Sequence, residues 1–136
     1  MLDETADHLR EASSLPELLT ASLQAFEDIR VAARDCEDLV PELLATFMTT
    51  ADAAVSGREA ITAAPSLPRA VAGRDSASFP ADCDIMQVTG VLGSLGGLLS
   101  SRLADGAATA TVAADREACR AAAAAARRIC ALMAQE

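Results

Sequence analysis

The sequence predicts an all-α protein: an up-down four-helix bundle with a long loop between the second and third helices. Three observations predict it. Apolar residues recur with a 3.5-residue period along the first half of the chain. Pro, Gly and Ser gather in one stretch, residues 65–81. No alternating strand pattern competes with the helical period. Residues 1–136 read as one helical domain.

Composition supports this class. A chain of 136 residues buries roughly two-thirds of its unfolded surface, enough to fold without disulfides or metals. Hydrophobic residues make up 51% and charged residues 23%, which excludes a disordered chain. The only aromatics are Phe26, Phe47 and Phe79, so the core rests on Leu, Ile, Val and Ala. Alanine faces bury little area each, and stability must come from long helices at close spacing.

The elements follow in order. Residues 1–13 form a polar lead segment, with a short helix around Asp7–Arg10. Ser14-Leu15-Pro16-Glu17 reads as a helix start: Ser14 caps, Glu17 sits at the capping-box distance, and Pro16 is tolerated in the first turn. A heptad then runs through Leu19, Phe26, Ala33, Val40, Phe47, Ala54 and Ile61. Its companion positions are Leu15, Ser22, Ile29, Cys36, Leu43, Thr50, Gly57 and Ala64.

Pro41 interrupts this seam, because it lacks an N–H and clashes with the carbonyl of Glu37. In one reading residues 15–64 form a single helix kinked near Glu37. In the other a helix ends near Cys36 and restarts with Asp38 as cap. The repeat of Pro-Glu-Leu-Leu at Pro16 and Pro41 favours a restart; the unbroken heptad phase and the absence of Gly favour a kink.

In the 65–81 stretch the chain reverses, and Asp82 or Asp84 caps the next helix. That helix carries Ile85, Val88, Leu92, Leu95 and Leu99 and ends near Asp105-Gly106. The last helix, near 108–135, carries Val112, Cys119, Ala126 and Met133 seven apart, with Ile129 alongside. Breaks at Pro41 and Gly106 leave four helices of similar length, which suits a bundle. The alternative is a long kinked helical hairpin that dimerises.

One segment stands out. Ile85–Ser101 carries no charge, and Gly93 and Gly97 form GxxxG with Gly90 nearby. Small residues let helices touch backbones, and glycines cost about 1 kcal/mol each in propensity that close packing must offset. Gly90, Gly93 and Gly97, with Leu92 and Leu99, are therefore the expected helix-packing or interface residues. Gln87, Thr89 and the serines dilute the apolarity, so a buried helix is preferred to a membrane span. The glycines lack the GK[ST] ending of a phosphate loop.

No catalytic or cofactor-binding constellation emerges. His8 is the only histidine, and no ExxH pair occurs. Cys36, Cys83, Cys119 and Cys130 form no CxxC pair and read as small buried apolar residues. A cysteine-only metal site would need Cys83 to approach Cys130. The acids at Glu27-Asp28 and Asp35–Asp38 read as solvated helix surface. Arg116, Arg120 and Arg127 share a face of the last helix and are expected to meet the acidic first half of the fold, with an acidic partner as the alternative.

The net charge is −9, and all of it falls in residues 1–64. Such a surface repels phosphate backbones, so no nucleic-acid partner is expected. The leading functional expectation is a non-catalytic interaction or structural protein that self-associates or binds another helical chain. The alternatives are a small-molecule or metal carrier using the bundle interior and cysteines, and a leaderless secreted or membrane-active helical effector. The acidic start lacks a basic and apolar leader, so a cytoplasmic location with reduced thiols is expected, with secretion without a cleaved signal peptide as the alternative. In architecture alone the chain is similar to the WXG100-type secreted proteins. It has no Trp for their turn motif and no Tyr for their export signal, and is not assigned to them.

Overall fold

A computed structural model describes residues 2–69 and 84–134. These residues fold into five α-helices, with no strand among them. Helix α1 spans Asp3–Glu11, α2 Leu15–Cys36, α3 Leu44–Thr62, α4 Ile85–Thr109 and α5 Ala113–Ala134. A 3₁₀ turn, Pro41–Leu43, leads into α3.

Local chemistry sets the boundaries. The Ser14 hydroxyl accepts from the Glu17 N–H at 3.3 Å. The Glu17 carboxylate reaches back to the Ser13 N–H at 3.0 Å. This is a capping box displaced by one residue, and Pro16 occupies the first turn without losing a bond. Pro41 separates two helices rather than kinking one. It holds Val40 extended, with φ −133° and ψ 103°, as a residue before proline prefers. The cap expected at Asp38 is not used: Val40 precedes the 3₁₀ turn and Leu43 precedes α3. Asp84 caps α4 by accepting from the Met86 N–H at 3.0 Å.

Helices α2, α3, α5 and α4 form a closed ring in which each packs against two others. The backbones of the diagonal pairs, α2 with α5 and α3 with α4, do not approach closely. The buried interior contains Leu19, Phe26, Ile29, Phe47, Ile61, Leu92, Leu99, Leu103 and Ile129. The heptad residues on both sides of Pro41 enter this one core, Val40 excepted. Phe26 lies flat against Gly57, where an added methyl would sit 2.3 Å from the ring.

Specific contacts fix the helix directions. Ser66, just beyond α3, donates its N–H (3.0 Å) and hydroxyl (2.5 Å) to Asp115 in the first turn of α5. Gly93 faces Met133, and Gly106 faces Cys119 and Leu18. So α2 and α5 run one way, α3 and α4 the other, and every adjacent pair is antiparallel. Thr62 and Ile85 consequently lie at opposite ends of the bundle. The two helix ends therefore do not share one end of the bundle, as the expected reversal requires; residues 70–83, most of the expected loop, lie outside the described residues.

The lead segment differs from its polar reading. Helix α1 packs against α2 and α4 and buries Thr5 and Leu9. The Arg102 guanidinium donates to the Leu9 carbonyl (3.0 Å) and the Ala12 carbonyl (2.5 Å), tying down the carbonyls at the end of α1. The expected break at Asp105-Gly106 also moves. Gly106 is buried inside α4, which continues to Thr109. Its missing side chain makes room for Leu18, 3.0 Å from where a methyl would be. Glycine here serves close packing rather than termination.

Candidate interaction surface

Leu92 and Leu99 are fully buried in the bundle core. Gly93 is half-buried on the α4–α5 seam, where an added methyl would stand 3.2 Å from the Met133 Cβ. Gly97 has looser contact, 3.9 Å from the Cys130 sulfur, and Gly90 faces open space. The residue that lets the two backbones meet is Gly96: a methyl there would lie 3.1 Å from both the Ala126 carbonyl and the Cys130 nitrogen. The GxxxG pattern passes it over. Tracing the apolar stripe finds it, because Gly96 follows Leu92 by four and precedes Leu99 by three. Opposite it lie Ala126 and Ile129, both buried.

Among the described residues two carboxylates are buried, and each joins elements. Asp28 accepts from the Thr5 hydroxyl at 2.5 Å and from the Gln24 amide at 2.8 Å, fastening α1 to α2. Asp115 holds the end of α3 through Ser66. Reading Glu27-Asp28 as one solvated pair is therefore half right. Successive helical residues point about 100° apart, and only Asp28 faces α1. Glu27 stays partly exposed and receives Arg30 from its own helix and Arg58 from α3. The Arg30 hydrogen bond lowers its pKa most, against the opposing effect of burial, with Arg58 adding in the same direction.

The arginines of α5 do not turn toward the acidic half. Arg116 donates to the Ala110 and Thr111 carbonyls, both at 3.2 Å, closing the α4–α5 corner. Arg120 pairs with Glu117 of its own helix, and Arg127 is exposed. Their spacing of about one or two turns keeps them on the outer face.

Cys36 and Cys119 are buried and Cys130 is half-buried; none of the three is in a disulfide. Burial raises the Cys119 pKa, and the nearby Asp115 charge adds to it. The thiol therefore stays protonated and unreactive. Cys83 lies outside the described residues. Among the described residues no group of three His, Cys, Asp or Glu is arranged to hold a metal ion.

Two surface features remain. A groove of about 840 Å³ runs between α1, α2 and the end of α3, lined by His8, Glu11, Thr20, Gln24, Glu27 and Arg58 among others. Gln24, Glu27 and Arg58 there are engaged with protein partners.

The second feature is apolar. Five large hydrophobic residues are exposed among the described residues, and four lie at one end of the bundle. Leu39 (56% exposed) sits in the turn after α2. Leu44 (40%) and Met48 (50%) occupy successive turns of α3, and Met86 (54%) the first turn of α4. That is the end where α2 and α5 finish and α3 and α4 begin. Val112 is at the opposite end. The segment that carries it is acidic: residues 34–52 hold Asp35, Glu37, Asp38, Glu42 and Asp52 against one basic residue, Arg34, while Arg127 and Arg128 are exposed on α5, which packs on α3. Sequence reasoning missed this corner because it followed the seam. Leu44 and Met48 are four apart and outside both heptad positions, and apolar leftovers at helical spacing are the signal for a second face.

No protein family, characterised protein or solved structure matches this chain. No helix among the described residues is long and apolar enough to cross a membrane.

Proposed function

We propose that this chain is a non-catalytic helical interaction module that self-associates or binds another helical protein. The observation that carries this reading is the apolar corner of Leu39, Leu44 and Met48, exposed around the start of α3. Single exposed hydrophobics are ordinary, but several gathered together mark binding surfaces. The rest of the molecule is consistent with a scaffold. The interior is filled by its own side chains, and the buried carboxylates described above hold elements together rather than facing a cleft. Methionine adds adaptability, since its unbranched thioether conforms to partners of varied shape.

The test is the assembly state of the purified chain, by size exclusion with light scattering, together with affinity capture by wild type and by a Leu39→Ser/Met48→Ser variant. The reading predicts stoichiometric self-association or retention of a defined protein, weakened in the variant. A strict monomer that retains no partner overturns it.

A further inference from the structure

Resting on the interaction reading, we propose that the corner formed by Leu39, Leu44 and Met48 docks a basic amphipathic helix belonging to a different protein. Three observations select this occupant.

The first is charge. Residues 34–52, which carry the corner, hold five carboxylates, Asp35, Glu37, Asp38, Glu42 and Asp52, against one basic residue, Arg34. A segment bearing Lys or Arg beside its apolar residues meets complementary potential there. Complementarity of this kind steers encounter and rejects acidic competitors.

The second is backbone. The described residues are helical, with no strand, so the corner offers no edge of unpaired N–H and C=O groups. An extended peptide would bury its own backbone polar groups without partners. A helix arrives with those groups satisfied and presents apolar residues at spacings of three and four, the helix-in-groove mode. Leu44 and Met48, one turn apart on α3, offer a ridge of matching pitch.

The third observation excludes a second copy of this chain. Symmetric pairing of two corners would set the same carboxylates against one another. The basic face of α5, with Arg120, Arg127 and Arg128, carries only alanines between them at Ala121–Ala126. It has the charge but no large apolar side chain to cover the corner. An anionic bilayer is repelled by the same carboxylates.

The experiment is a ¹⁵N NMR titration of the full chain with a synthetic peptide of Leu and Lys at helical spacing. The controls are a scrambled peptide of the same composition and a Leu/Glu peptide of the same pattern. The expected result is saturable binding with shifts confined to residues 36–52. Leu44→Ser/Met48→Ser should weaken it about tenfold with unchanged circular dichroism. Val112→Ser, at the other end, should leave it unchanged. Each of the following overturns the proposal: shifts that map elsewhere, equal binding of the scrambled or Leu/Glu peptide, or equal affinity in the double variant. So does dimerisation or binding to phosphatidylglycerol vesicles through the same residues. If the peptide fails while the chain still retains a protein partner or self-associates, only this occupant falls. A monomer that retains nothing removes the interaction reading itself.

Discussion

Asp28 is a fully buried carboxylate that accepts from Thr5 and Gln24, and removing one donor from such a group leaves part of its desolvation uncompensated. Thr5→Val keeps the shape and deletes the hydroxyl. It should cost about 1–3 kcal/mol in urea unfolding and expose the 3–14 region to limited proteolysis before the rest of the chain. A variant as stable and as protected as wild type would show that α1 docks through its apolar contacts alone. Glu27 makes a different prediction. Its pKa lies below the ordinary value of 4.5, chiefly through the Arg30 hydrogen bond. The folded state thus favours the charged form. The resulting stability is present above pH 4.5 and is lost as pH falls through the lower folded-state value. Glu27→Gln should reduce stability at neutral pH, by less than about 1 kcal/mol because the group is partly solvated. The gap to wild type should close as the solution is acidified below pH 4.5, as followed by thermal melts across pH. A gap that widens on acidification would reverse the assigned sign. The residue scale was the least legible in the sequence. Glu27 and Asp28 are adjacent acids of like chemistry, and only the docking of α1 gives them different surroundings.

At the scale of elements, the glycines divide by what faces them. Gly90 faces nothing, so Gly90→Ala should stabilise by up to about 1 kcal/mol through helix propensity. Gly96 faces the α5 backbone at 3.1 Å, and backbone cannot yield as a side-chain tip does. Gly96→Ala should destabilise despite the same propensity gain. Gly57→Ala meets the buried Phe26 ring on α2 at 2.3 Å. Overpacking costs about 1–3 kcal/mol against about 1 recovered from propensity, so a net loss is expected. Urea denaturation of the three variants orders them Gly90→Ala above wild type and the other two below. Equal effects at Gly90 and Gly96 would mean that the α4–α5 seam is not backbone-tight. Helices were legible where local chemistry and period agreed. Ser14, Pro16 and Glu17 mark the start of α2 through capping that acts within one turn. The heptad survives Pro41 because both helices bury into one core. The end of α4 was misread at Gly106 for a physical reason. A glycine that terminates a helix and one that admits a neighbouring side chain look alike without that neighbour, here Leu18.

At the scale of the whole molecule, periodicity states which face each helix buries but not which neighbour it buries against, and helix order decides the direction of every connection. The Pro, Gly and Ser content of 65–81 reads as a reversal, but such residues serve a turn-back and a crossover equally, and the reversal is not what the helix ends show. The choice is made by distant pairs: Ser66 with Asp115, Gly93 with Met133, and Gly106 with Leu18. The apolar corner was hidden for a related reason, since exposure at Leu44 and Met48 is known only once every neighbouring helix is placed. The topology yields a test that depends on chain length rather than on any side chain. Helix α4 has 25 residues and is about 37 Å long, so the connection must cover roughly that distance after Ser66. Replacing residues 68–83 with a Gly/Ser linker of equal length leaves ample reach. That variant should keep the helical content and assembly state of wild type. A five-residue linker reaches only about 20 Å when fully extended. It cannot return the chain to the start of α4 within one molecule. The α4–α5 pair must then either dock on a second copy, giving a swapped oligomer in light scattering, or fail to dock, lowering the melting temperature. If the short-linker protein has wild-type assembly state and melting temperature, Thr62 and Ile85 lie at the same end, and the antiparallel ring is wrong.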